Sequence, residues 1–261
     1  AAADEMFRAV ERIGSEISLT NENSALYRFN EHAEKDEKIE ISEETYELVS
    51  LALEYEKETL GAFSIGAYNL SKLWGVDAGG YISYDPFEDE PVSAPLPDYD
   101  AEVLPAKSKC DTSLITLYSD ENGCFISKSD KSLKIDLGGI AKGYCADLCA
   151  EIARKHNLKS ALVNVSGNIV LSGGYYDGRK FTDWEIAVID PRPKASPLRE
   201  EICLLKSAGD VSIVTSGDYR RYYRHESGLE PCHIIDPRSG LPCGVAAGES
   251  GYTKPPETVS S

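Results

Sequence analysis

The sequence predicts an α+β fold, with a mixed, largely antiparallel sheet packed against helices. Two observations carry this reading. Helical periodicity dominates the first half of the chain, and short apolar runs parted by turn residues dominate the second. Residues 84–108 hold a Pro- and acid-rich stretch, Asp85 to Asp100, that reads as a surface loop or hinge. No boundary in the chain is stronger than this one, so residues 1–261 read as a single domain.

The elements follow in order. Residues 4–17 place Met6, Phe7, Val10, Ile13 and Ile17 on one helical face. Residues 18–30 read as an irregular loop entering a short element. Ser42 stands where a cap is needed for a second helix, which carries Tyr46, Val49 and Leu53 and ends at Gly61. Residues 112–118 alternate as a strand does, and 124–128 and 133–136 are short strands separated by turn residues. Residues 139–156 form a helix with Ala141, Cys145, Leu148 and Ile152 on one face. Strand-like runs then occupy 160–165, 168–173, 184–190, 200–205 and 210–216. Pro237 presets a turn over Pro237-Arg238-Ser239-Gly240.

A chain of 261 residues that is 41% hydrophobic can bury a full core, as one domain or two intimately packed lobes. Its formal net charge of −17 argues against nucleic acid and anionic membrane surfaces as partners. A dinucleotide is still allowed, because backbone N–H groups and a single lysine can cradle phosphates against an acidic background. The seven cysteines form no C-x-x-C pair and complete no zinc spacing. They read as buried or free thiols, which suits a reducing setting or an anaerobic source. No run is long and apolar enough to span a bilayer, and no signal-peptide pattern is present. The chain opens abruptly at Ala1-Ala2-Ala3, which leaves a processed or trimmed leader open.

Five segments carry chemistry. The strongest is Lys134-Ile135-Asp136-Leu137-Gly138-Gly139-Ile140-Ala141-Lys142-Gly143-Tyr144, a short strand running through two glycines into a helix. Glycines let a backbone approach a ligand, and a helix N-terminus offers unpaired N–H groups and the positive end of a dipole. Lys142 adds a full charge, and Asp136 is able to hold a hydroxyl, a ring N–H or a metal. The segment is neither a dinucleotide fingerprint nor a Walker loop. A phosphate site and a plain strand–turn–helix corner both fit it. The second segment is Thr215-Ser216-Gly217-Asp218-Tyr219 and the third His233-Ile234-Ile235-Asp236-Pro237-Arg238-Ser239-Gly240. His233 is one of four histidines and fits a structural role as well as a basic one. Asp236, before a proline, reads as a turn residue. The fourth is Gly61-Ala62-Phe63-Ser64 ahead of Leu73-Trp74-Gly75, whose aromatic rings suit either a flat ligand ring or a core. The fifth is Ser24-Ala25-Leu26-Tyr27-Arg28-Phe29-Asn30.

Taken in chain order, the segments resemble the motif series of the FAD:protein FMN transferases, the ApbE-like flavin transferases. That series runs S-x-L-x-x-x-N, G-A-F-D, L-W-G, D-L-G-G-I-A-K-G-Y, V-N-x-G-G-[ND]-I, T-S-G-D-Y and H-I-I-D-P-x-[ST]-G. The match extends from Ser24 to Gly240. The resemblance implies a T-fold-like catalytic domain that cleaves FAD at its pyrophosphate in the presence of Mg²⁺. FMN then passes to a threonine of a target flavoprotein, and AMP is released. An FAD-binding module, or a pyrophosphatase splitting FAD to FMN and AMP, is the alternative. By position, the resemblance implies that Asn30, Ala62, Phe63, Ser64, Asp136, Lys142, Ser216 and Ile234 contact FAD. It also implies that His233 is the catalytic base and that the Gly139 carbonyl is a Mg²⁺ ligand.

The departures are specific. Ser64 stands where the family has an acid, so a carboxylate near the flavin is expected to be lost. Ser166 replaces the first glycine of Val163-Asn164-Val165-Ser166-Gly167-Asn168. The chain is expected to lack the family's opening strand and, after Ser261, the strand and helix that supply the metal's side-chain ligands. Family members often work outside the cytoplasm as lipoproteins, so an extracytoplasmic anchored form of the longer protein is one expectation.

Overall fold

The computed structural model describes residues 1–77, 92–190, 201–218, 221–248 and 251–253. In chain order these give α1 (Ala2–Glu16), then α2 (Ala25–Tyr27) running into a π-helical turn (Arg28–His32). Next come β1 (Ile39–Ile41), α3 (Glu43–Glu58) and a 3-10 turn (Ile65–Ala67) leading into α4 (Tyr68–Leu73). A second π-helical turn (Tyr99–Val103) leads into α5 (Leu104–Lys107), followed by β2 (Ile115–Asp120), β3 (Gly123–Lys128) and α6 (Ala141–Lys155). The remaining strands are β4 (Ala161–Val165), β5 (Asn168–Ser172), β6 (Tyr175–Tyr176), β7 (Phe181–Thr182), β8 (Trp184–Ile189), β9 (Glu201–Ser207), β10 (Val211–Val214), β11 (Ile235–Asp236), β12 (Leu241–Pro242), β13 (Ala246–Gly248) and β14 (Gly251–Thr253). Every ladder between these strands is antiparallel, as the α+β reading requires.

The chain folds into two compact units, Ala1–Glu16 with Gly138–Ser216 and Ile17–Leu137 with Gly217–Ser261. In the first, α6 packs on α1, β4 and β5. Ala146 and Ala150 are small enough to let the helix approach Val170, Val163 and Val165 closely. The sheet runs β10-β5-β4. Its β4–β5 loop is two residues long, and both stand at positive φ, Ser166 at 51° and Gly167 at 93°. That is the signature of a type I′ hairpin turn. Helix α1 buries Ala9 and Ile13, while Phe7 is 71% exposed and does not join the core face. At 100° per residue the inward stripe is Met6, Ala9, Val10 and Ile13, and Phe7 lies one full step beside it.

In the second unit, β1-β3-β2 form a sheet against which α3 packs. Ser42 caps α3 as expected, its hydroxyl accepting from Thr45 N–H at 3.1 Å. A second core gathers Leu70, Trp74, Val76, Ala94, Val103, Tyr223, Leu241 and Val245. Of the expected 84–108 loop, residues 84–91 lie outside the described residues. Residues 98–107 are mostly helical, and Val103 is fully buried in that core, so this part is more than a surface excursion.

The expected strand at 133–136 is extended but joins no ladder. Its alternation survives, with Leu133, Ile135 and Leu137 buried and Lys134 and Asp136 partly exposed. Its backbone polar groups find partners other than a neighbouring strand. The seven cysteines are free thiols. Burial raises Cys232 to about 12 and Cys110 to about 11, which keeps both protonated. Among the described residues no helix is long and apolar enough to cross a membrane.

Candidate active site

The buried side chain of Asn30 replaces the missing strand partner. Its Nδ2 donates to the Ile135 carbonyl at 2.8 Å, and its Oδ1 accepts from Ile135 N–H at 2.9 Å. One amide therefore satisfies both backbone groups of a residue that has no exposed surface. The next residue is fixed too: Asp136 N–H donates to the Ile65 carbonyl at 2.8 Å. Ile65 follows Ser64, whose hydroxyl accepts from Gly66 N–H at 3.1 Å. Serine thus fills a capping role that an aspartate fills equally well, so the departure at this position removes a charge and keeps the turn. Gly66 is required here, because a Cβ would lie 2.4 Å from the Cys110 carbonyl. Ala62 is exposed and Phe63 half-buried beside this turn.

Lys134 and Asp136 share the outer side of the extended segment. The Lys134 ammonium pairs with the Glu31 carboxylate at 2.5 Å, and Tyr68 Oη donates to the same carboxylate at 3.3 Å. Burial pushes Glu31 up, but the Lys134 ammonium and the Tyr68 hydroxyl outweigh it and hold the carboxyl below its usual value. Burial, together with the neighbouring Glu31 charge, raises Tyr68 to about 12 and keeps its phenol protonated.

The His233 segment is fixed by its own set of bonds. Trp74 Nε1 donates to the Gly240 carbonyl at 2.9 Å, which joins Leu73-Trp74-Gly75 to the end of the histidine block. Gly240 stands at φ 78°, where a Cβ would meet Val103 at 2.9 Å. Asp236 is a turn residue, as expected, chelated by Arg238 Nε and Nη2 at 2.9 Å each. That guanidinium holds the Asp236 carboxyl below its usual value. His233 is half-buried, and its N–H donates to the Arg221 carbonyl at 3.0 Å. The half-buried Ile234 accepts through its carbonyl from Cys243 N–H at 2.7 Å.

The remaining candidates belong to the other unit. Gly138 and Gly139 are exposed at the entrance to α6. Lys142 is exposed, and its Nζ donates to the Gly138 carbonyl at 2.7 Å. Ser216 is exposed after β10, while Tyr219 lies outside the described residues. The Gly139 carbonyl alone does not make a Mg²⁺ site. Among the described residues no group of three or more His, Cys, Asp and Glu side chains gathers to hold a metal. Magnesium favours several oxygen ligands in near-octahedral array. The described residues do not complete such a set.

Sequence reasoning missed Lys128, Glu31 and Tyr68. The signal for Lys128 was its phase. Cys124, Ile126 and Lys128 fall on one side of β3, the first two are buried, and so is the lysine.

Comparison with known proteins agrees with the order of these segments. The ApbE family model matches residues 1–247. A FAD:protein FMN transferase of Vibrio cholerae is 30% identical over 238 residues, covering 91% of this chain and 64% of the relative. One of Treponema pallidum is 30% identical over 250 residues, covering 93% and 64%. The chain therefore spans about 64% of the length of these relatives. The crystal structure of the ApbE protein of Thermotoga maritima superimposes with a TM-score of 0.74 at 29% identity, covering 94% of this chain and 71% of that one. The flavin transferase ApbE of Vibrio cholerae gives 0.71 at 29% identity, covering 94% and 70%. A family match over nearly the whole length, together with this likeness of fold, makes the chain a member of the ApbE family.

Proposed function

We propose that the protein of which this chain is part transfers the FMN moiety of FAD to a threonine of a target flavoprotein. The observation that carries the proposal is the clamp on Ile135. Three segments far apart in sequence, ending at Asn30, Ser64 and Asp136, are pinned to one another by the Asn30 amide and the Ile65 carbonyl. A ligand site is built this way, with backbone and short polar groups preorganised before the ligand arrives. The names of the relatives, FAD:protein FMN transferase, support the same reading.

The proposed chemistry is in-line displacement at the FMN phosphorus. The threonine Oγ–P bond forms, the pyrophosphate P–O bond breaks, and AMP leaves with the bridging oxygen. His233 accepts the hydroxyl proton as the bond forms. The N–H groups that open α6, together with Lys142, meet phosphate charge. Ala62 and Phe63 flank the flavin ring, and Ser64 and Asp136 contact FAD. Asn30, whose buried amide is committed to Ile135, backs that wall in place of a side-chain contact of its own. Ser216 and Ile234 complete the FAD contacts. Mg²⁺, where bound, would serve as counter-ion to the pyrophosphate.

The test is incubation with FAD, Mg²⁺ and a flavoprotein bearing an acceptor threonine. Flavin fluorescence that stays with the acceptor after denaturing gel electrophoresis is the expected result. Free FMN and AMP with no labelled acceptor replace transfer by hydrolysis. Retained, intact FAD reduces the site to a binding module.

A further inference from the structure

Lys128 has no exposed surface, yet among the described residues no carboxylate bonds it. Its ammonium donates to the Leu133 carbonyl at 2.9 Å, reaches the Asn30 carbonyl at 3.5 Å, and lies 4.8 Å from the centroid of the Phe29 ring. Burying an ammonium with only neutral partners is costly, and an apolar residue of similar length would pack the same space more cheaply. A charge kept at such a cost marks a position where its donors do something a methyl group cannot. Here they tie the last turn of the Ser24–Asn30 segment to the start of the Leu133–Asp136 segment. Within that tie, the Asn30 amide holds Ile135. The Asn30 carbonyl and the Asn30 amide are thus gripped from opposite ends, one by Lys128 and the other by Ile135.

We infer that Lys128 is a positioning residue for the FAD site, holding Asn30 and residues 133–136 in the conformation that presents Asp136. The inference rests on the flavin-transferase reading for its ligand and on the geometry above for its mechanism. The charged groups that bear on Lys128 are Lys134, Glu31, Asp130 and Glu34. Burial first, and then the Lys134 ammonium, lower Lys128 to about 8, so its charge is lost within an accessible pH range.

The variant Lys128→Met keeps the length of the side chain and removes the donors. Amide hydrogen exchange is measured at pH 7, and FAD affinity is measured by fluorescence titration at pH 7 and pH 9. In the variant, the Ile135 and Asp136 amides are expected to exchange about 10- to 100-fold faster, as for loss of one charge-assisted hydrogen bond. Amides of β4 and β5, in the other unit, should be unchanged. FAD and riboflavin should both bind at least about tenfold more weakly, because the segment that loosens backs the flavin ring and not the phosphates. The wild-type protein should lose affinity for FAD between pH 7 and 9, and the variant should not. Unchanged exchange at Ile135 and Asp136, or an equal increase at every amide, overturns the inference. So does a folded variant with the wild-type FAD affinity and pH profile. A wild-type protein that does not bind FAD refutes the flavin reading instead, and the exchange arm still decides the role of Lys128.

Discussion

The clamp on Ile135 predicts a specific cost. In Asn30→Leu a side chain of similar size replaces the amide, and Ile135 keeps a buried N–H and a buried carbonyl with no partner. Each orphaned backbone group costs roughly 1–3 kcal/mol, so the pair costs roughly 2–6 kcal/mol. For a chain of this size each kcal/mol moves the midpoint of thermal unfolding by roughly 2–4 °C. Asn30→Leu should therefore melt roughly 6–15 °C below the parent, the central part of that product. Asn30→Asp separates the two bonds. An ionised carboxylate still accepts from the Ile135 N–H but is buried against the Ile135 carbonyl lone pairs, so at pH 7 the loss should be at least that for leucine. It should shrink at acid pH, where the protonated acid can donate to that carbonyl. Circular dichroism melts together with urea unfolding read both values. FAD titration well below the variant's midpoint then reports whether the freed segment still presents Asp136. An Asn30→Leu protein that melts within about 2 °C of the parent would place the Ile135 groups in contact with water, and the clamp would have no energetic content.

Four further outcomes are expected. Ser166→Gly should stabilise by roughly 1 kcal/mol in urea, because the left-handed conformation at φ 51° strains an L-residue and not glycine; a destabilised variant would refute the turn assignment. His233→Ala should slow single-turnover transfer by ~10²–10⁴-fold with FAD affinity kept within a few-fold, and unchanged transfer in the folded variant would leave His233 a structural residue. The chain without flavin should bind Mg²⁺ weakly by calorimetry, since the described residues gather no cluster to hold it; tight stoichiometric binding contradicts this. The Lys128 charge should also be visible in stability. Its folded value of about 8 lies below its ordinary 10.5, so the unfolded chain binds the extra proton between those values and stability rises with pH across that window. Compared with Lys128→Met, the wild type should gain up to about 3 kcal/mol from pH 8 to 10.5, and no relative gain would mean that Lys128 is solvated.

Much of this was legible in the sequence, and the misses have physical causes. Serine capping, the helix after two glycines and the β4–β5 hairpin are local, so a few neighbouring residues dictate them. Residues 133–136 alternate as a strand does because alternate side chains are buried there, but alternation reports burial and not a ladder. What pairs that backbone is an amide 105 residues away, and no local pattern reveals it. Phe7 was placed inside because it is apolar, although its helical angle points it outward. Lys128 is the opposite case: it is charged, yet its phase on β3 points inward, and phase prevails.

In the proposed site an acidic chain has to meet the charge of a dinucleotide, and three of its lysines bear on how it would do so. Lys134 is partly neutralised, because the Glu31 carboxylate holds its ammonium. Lys128 is buried and committed to carbonyls, so its charge acts on conformation and not on a phosphate. Lys142 is exposed, but its ammonium already donates to the Gly138 carbonyl. Two of its three N–H donors are left for a phosphate, so that bond need not be given up. Because Lys142 is exposed, solvent and salt screen its charge, and Lys142→Ala should weaken FAD binding by less than loss of a buried ion pair would. The larger share of the phosphate charge then falls to fixed dipoles, the N–H groups that open α6, which need no side-chain rearrangement. In the proposed site a side chain at Gly138 or Gly139 is expected to crowd the approach of an anion to the N–H groups that open α6. Gly139→Val should therefore weaken FAD binding more than Lys142→Ala, and equal losses would assign the phosphate charge to the lysine instead.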